Sequence, residues 1–85
     1  MNLILLETKE QFKRLKQGDY ILVKWSNYNL KHDRNINKIM LYPIEEIKEK
    51  EDEIICKMPE NHYFNWKRYL KGLSGAEEVY FVETT

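Results

Sequence analysis

The stretch Gly18-Asp19-Tyr20-Ile21-Leu22-Val23-Lys24-Trp25 constrains the fold more than any other. Glycine accepts positive φ, and an aspartate side chain can bond nearby backbone amides, so the first pair marks a turn. The β-branched and aromatic residues behind it suit a pleated, half-buried surface. Side chains alternate between the two faces of a strand. Ile21, Val23 and Trp25 therefore share one face, which is wholly apolar and predicted to be core. Tyr20, Leu22 and Lys24 share the other, which ends in a charge and is predicted to be partly wet. A slip of one residue would carry Lys24 into the core, so the register is well specified.

The rest of the chain falls into place around this strand. Residues 2–6 are apolar on both faces and predict a short buried strand or an arm tied into a sheet. Thr8 with Gln11 three residues on matches a capping box. It opens a predicted helix over residues 9–17, held down by Phe12 and Leu15, with Gly18 at its end. Residues 27–35 form a polar loop rich in Asn and Asp, long for a hairpin connection. Apolar alternation resumes over residues 36–48, with Met40, Tyr42 and Ile44 on one face and Ile39 and Leu41 on the other. Pro43 cannot donate to a ladder and marks an edge, bulge or bend. A charged turn over residues 49–52 leads to a strand over 53–58, in which Ile54, Cys56 and Met58 alternate with Ile55 and Lys57. Residues 61–72 predict a second short helix, capped by Asn61 or Asn65 and closed by Gly72. A last strand covers residues 79–82.

These elements predict an α+β fold in one domain, residues 1–85. The expected architecture is a small, strongly bent antiparallel sheet of about five strands with two short helices. Closure of such a sheet would hide its edges. In strand number and spacing it resembles the SH3-like small barrels, which implies a partly open barrel.

Composition narrows the function. Fourteen basic and 14 acidic side chains give a net charge of zero. That argues against an indiscriminate nucleic-acid binder, which carries a positive excess. Cys56 is the lone cysteine, so no intrachain disulfide can form. No run approaches the ~20 apolar residues that cross a bilayer, and residues 3–6 are too few for a signal-peptide core. A cytoplasmic protein that does not engage membranes is the expectation. The wealth of Lys, Ile, Asn and Glu is the bias of an AT-rich genome, such as a low-GC bacterium or its phage.

No catalytic or metal motif emerges. Cys56, His32 and His62 lack zinc-ligand spacing and a fourth ligand. Cys56 alternates with Ile54 and Met58, which predicts an inert core thiol and not a nucleophile. The carboxylates at residues 45–53 sit beside Lys48 and Lys50 in solvated sequence, unlike the dry pocket that raises a catalytic pKa. Glycine-rich phosphate loops and serine elbows are absent. The expectation is a protein that is not an enzyme and uses no cofactor and no metal.

What remains is aromatic side chains among basic ones. One region holds Trp25, Tyr28, Lys31, His32, Arg34 and Lys38; another holds Tyr63, Trp66, Arg68 and Lys71. Trp, Tyr and Arg are the usual anchors of protein interfaces. The preferred expectation is a small non-catalytic interaction module that binds a larger protein, such as a regulator or inhibitor from a phage or mobile element. The alternative is a small-barrel RNA or single-stranded DNA binder, in which aromatics stack on bases and cations meet phosphates. The oligomeric state is left open, self-association included. Any contact is expected at the Trp25 end of the strand and not along it.

Overall fold

In the computed structural model, the described residues are 2–26, 38–51, 53–73 and 75–83. They form seven strands and two short helices: β1 (Asn2–Leu5), α1 (Lys9–Lys13), β2 (Tyr20–Trp25), β3 (Ile39–Pro43), β4 (Glu46–Lys50), β5 (Glu53–Met58), β6 (His62–Asn65), α2 (Trp66–Leu70) and β7 (Ala76–Glu83). All strand pairs are antiparallel. One sheet has the order β1-β7-β2-β3, the other β4-β5-β6. The fold is thus a small α+β arrangement. The expected single bent sheet of about five strands is seen instead as two sheets that do not close on each other.

Two local features account for the difference. The segment read as one strand around Pro43 breaks at Ile44 and Glu45, so β3 and β4 fall in separate sheets. The segment read as a helix over residues 61–72 starts as a strand. His62, Tyr63, Phe64 and Asn65 pair with β5, and the helix begins only at Trp66. Aromatic side chains favour the pleated surface, and Asn65 caps the helix by accepting from the Lys67 amide at 3.0 Å. Gly72, at φ +74, ends it. The Gly72 amide bonds the Tyr69 carbonyl and the Leu73 amide bonds the Arg68 carbonyl, the double closure of a left-handed glycine cap.

The capping box of α1 forms as the spacing predicts. Thr8 accepts from the Gln11 amide, while the Gln11 side chain accepts from the Thr8 amide. The helix is shorter than expected and stops at Lys13. Gly18 serves the next turn instead: at φ +92 it lets the Asp19 amide close back on the Lys16 carbonyl. The Asp19 carboxylate then accepts from the Lys16 amide at 2.8 Å.

The core lies between the inner faces of the two sheets and the helices. Ile21 and Val23 of β2 are fully enclosed, as are Val79, Ile44, Ile54, Cys56, Met58 and Phe12. Phe12 joins α1 to the second sheet by stacking on Phe64 at 5.9 Å and on Trp66 at 6.4 Å. The predicted inner face of β2 is therefore correct at Ile21 and Val23. Trp25 is only partly buried, packed edge-on against Tyr42.

Candidate interaction surface

The four-stranded sheet has a second face, and its composition is unusual. Residues opposite each other in an antiparallel ladder share a face. The registers place Leu3, Val82, Tyr20 and Pro43 in one row across the sheet, and Leu5, Tyr80, Leu22 and Leu41 in the next. Glu78, Lys24 and Ile39 form the third. The core-lining residues Ile21, Val23, Val79 and Tyr42 all belong to the opposite face.

Four large apolar side chains stand on this outer face in solvent: Leu3 is 51% exposed, Tyr20 42%, Ile39 55% and Leu41 54%. Val82 lies between Leu3 and Tyr20 and is only 5% exposed, yet it is not part of the core cluster. It belongs to a second, shallow apolar layer. The face carries one charged group, at its end. Lys24 reaches Glu78 at 3.3 Å and Glu77 at 3.7 Å. The Tyr80 hydroxyl donates to Glu78. That hydrogen bond, followed by Lys24, holds the Glu78 carboxyl below its ordinary value, and the same bond raises Tyr80.

The aromatic and basic residues singled out from sequence are distributed differently. Trp25, Tyr63 and Arg68 meet around a groove of about 490 Å³, together with Phe64, Asn65 and Leu73. One residue from the first region is thus brought beside two of the second. Lys38 is exposed next to Trp25, whose amide donates to the Lys38 carbonyl. Trp66 points inward, 7% exposed, with the Lys9 ammonium 5.5 Å from its ring centre. Lys71 is exposed at the C-cap of α2. Tyr28, Lys31, His32 and Arg34 lie outside the described residues, as does the polar loop at 27–35.

The titratable groups weighed for chemistry sit as follows. Cys56 is buried, and desolvation pushes its thiol up to about 11, so it is protonated at neutral pH. His62 packs edge-on against Tyr42, 6.2 Å between ring centres. No helix among the described residues is long and apolar enough to cross a membrane.

The signal of the outer layer is present in the sequence, since β1, β2 and β3 all carry apolar residues on both alternating phases. Comparison with known protein families, curated proteins and solved structures finds no match for the chain.

Proposed function

We propose that this chain is a small, non-catalytic interaction module that docks on a larger protein through the outer face of its four-stranded sheet. The observation that supports this is the placement of Leu3, Tyr20, Ile39 and Leu41 on one sheet face, each more than two-fifths exposed. Contiguous exposed apolar surface of this kind marks interaction sites in folded proteins. Tyr20, in the row with Leu3 and Val82, supplies the sort of anchor that dominates interface energetics. A regulator or inhibitor carried by a phage or mobile element fits a chain of this size and composition.

The test is affinity capture with the native chain and with a Tyr20→Lys, Leu41→Lys double variant. Both side chains are exposed, so the variant keeps its circular dichroism spectrum and thermal midpoint. The expected result is a protein bound by the native chain and lost by the variant. A partner retained equally by both places the contact elsewhere and defeats the reading.

A second reading draws on the groove. Trp25, Tyr63 and Arg68 at one opening are the residue types that stack on bases and neutralise phosphates of single-stranded nucleic acid. This reading expects binding to pooled oligonucleotides at low salt. Affinity should then fall with a log–log slope of about −0.7 per phosphate contacted. Loss of that binding in Arg68→Ala and Tyr63→Ala, with the Tyr20→Lys, Leu41→Lys variant unaffected, would favour it over the first.

A further inference from the structure

The edge of the same sheet carries its own information. The Ile44 amide donates to the Asp19 carbonyl, and the Trp25 amide to the Lys38 carbonyl, both at 2.8 Å. In an antiparallel ladder only every second residue turns its backbone toward the partner strand. Residues 38, 40, 42 and 44 therefore face β2, and Ile39, Leu41 and Pro43 face away. Pro43 has no N–H, and an outward position is where its absence costs the ladder nothing. Ile39 and Leu41 are left with both amide donors and both carbonyl acceptors directed out along the edge.

Two other edges carry blunting features. On β1, Leu6 donates to Val79, so Leu5 faces outward, and its carbonyl accepts from the Gln11 side chain at 3.2 Å. On β4 the exposed residues are Glu46, Lys48, Glu49 and Lys50, and charge discourages strand addition. Among the described residues, the β3 edge has neither device at Ile39 and Leu41.

We propose that β3 pairs antiparallel with β3 of a second copy of this chain, across a two-fold axis at Met40. The two four-stranded sheets then become one of eight strands. Ile39 stands opposite Leu41 of the second copy, and Leu41 opposite its Ile39. Each outward amide of Ile39 and Leu41 meets an outward carbonyl of the other copy, so all four open groups of these two residues are used. The match is self-complementary, as an isologous contact requires. Charge supports a second copy as the occupant. Lys38 falls opposite Tyr42 of the other chain, so no like charges face each other, and the chain's net charge of zero removes long-range repulsion. The β3 strand offers five residues, against the ~20–30 per side of a standard interface. The dimer is therefore concentration-dependent and dissociates on dilution. It leaves the outer apolar faces free and holds whatever protein those faces take.

Sedimentation equilibrium from micromolar to millimolar protein tests this, together with amide hydrogen exchange at both extremes. The native chain should associate, and the Ile39 and Leu41 amides should become protected only at the high end. Leu41→Pro removes an outward N–H without touching a bond to β2. It should weaken association at least tenfold. A chain monomeric throughout overturns the proposal. So does a dimer in which the Ile39 and Leu41 amides exchange freely, which would be joined through the sheet faces. Protection of those amides only on adding a different protein overturns it in favour of a foreign strand. If Leu41→Pro does not fold, the exchange pattern of the native chain alone decides.

Discussion

The two sheets solve the same problem in opposite ways. In the three-stranded sheet, Ile54, Cys56 and Met58 point inward and are buried, while Glu53, Ile55 and Lys57 alternate with them on the wetter side. On its edge, β4 is almost wholly charged outside Ile47. This is the usual division of an antiparallel sheet with one face in water. The four-stranded sheet does not follow it. Its inner face holds Ile21, Val23 and Val79, and its outer face repeats the apolar pattern with Leu22, Leu41, Tyr20 and Leu3. Packing among the described residues explains the first apolar layer and leaves the second partly exposed. The contrast between the sheets is the reason for proposing a partner for the second layer.

The sharpest way to break this comparison is to truncate equivalent apolar residues on the two surfaces. Ile54→Ala opens a cavity in a site that is 2% exposed and should destabilise by about 2–5 kcal/mol. Leu41→Ala removes a side chain of similar size from the outer face and should change stability by no more than about 0.5 kcal/mol. Urea unfolding of both variants gives the answer. If Leu41→Ala costs as much as Ile54→Ala, the outer face is already covered within the monomer and offers nothing to dock.

A smaller effect tests the two faces of β2 itself. Val23 is fully enclosed, and Val23→Ala should cost about 1–3 kcal/mol. Tyr20→Ala, on the other face and at the end of the same strand, should cost less than Val23→Ala while weakening any protein contact. A larger thermal shift for Tyr20→Ala than for Val23→Ala would reverse the assignment of the faces.

Much of this fold was legible because the informative signals are local. The phase of β2 follows from four apolar residues and a lysine. The Thr8–Gln11 box and the Asn65 cap each need only a few residues of sequence. What was hidden depends on which strands become neighbours. Leu3, Val82 and Tyr20 form one row only because β7 inserts between β1 and β2, and nothing near Leu3 announces a partner some eighty residues away. The strand at His62–Asn65 was hidden for another reason. Asn61 and Asn65 are both plausible caps, and choosing between helix and strand for the residues between them required the pairing with β5. For the candidate site, residue type was informative and placement was not. Trp66 shares its chemistry with Trp25, but it packs beneath α1 against Phe12.

The hairpin from β5 to β6 sharpens the picture of the second sheet. Its turn holds Glu60 at φ +64 and Asn61 at φ +59. The left-handed region costs a residue with a β-carbon roughly 1–2 kcal/mol, and asparagine tolerates it better than glutamate. Glu60 is exposed. Glu60→Gly should therefore stabilise, but by no more than about 1 kcal/mol, because glycine's greater freedom in the unfolded chain offsets part of the relief. A thermal midpoint that falls in this variant would mean that the glutamate side chain contributes more than its backbone costs.

The smallest effect lies at the charged end of the outer face, where the two sheets differ least. Glu78 accepts from the Tyr80 hydroxyl and from Lys24, in that order of effect, and both hold its carboxyl below the ordinary value. A depressed folded-state pKa contributes stability above the unfolded value and loses it as pH falls through the folded one. Glu78→Gln should therefore be slightly less stable than the native chain at neutral pH, and the difference should vanish in acid. Tyr80 is raised by the same bond, so that contribution is also lost as the pH rises through the raised tyrosine value. The group is solvent-facing, so added salt should shrink its effect on stability. Unfolding of both chains across pH at two salt concentrations measures it. A difference that persists undiminished in acid would trace to packing of the Glu78 stem on Lys24 and Tyr80. The charged end would then be continuous with the apolar layer and not its boundary.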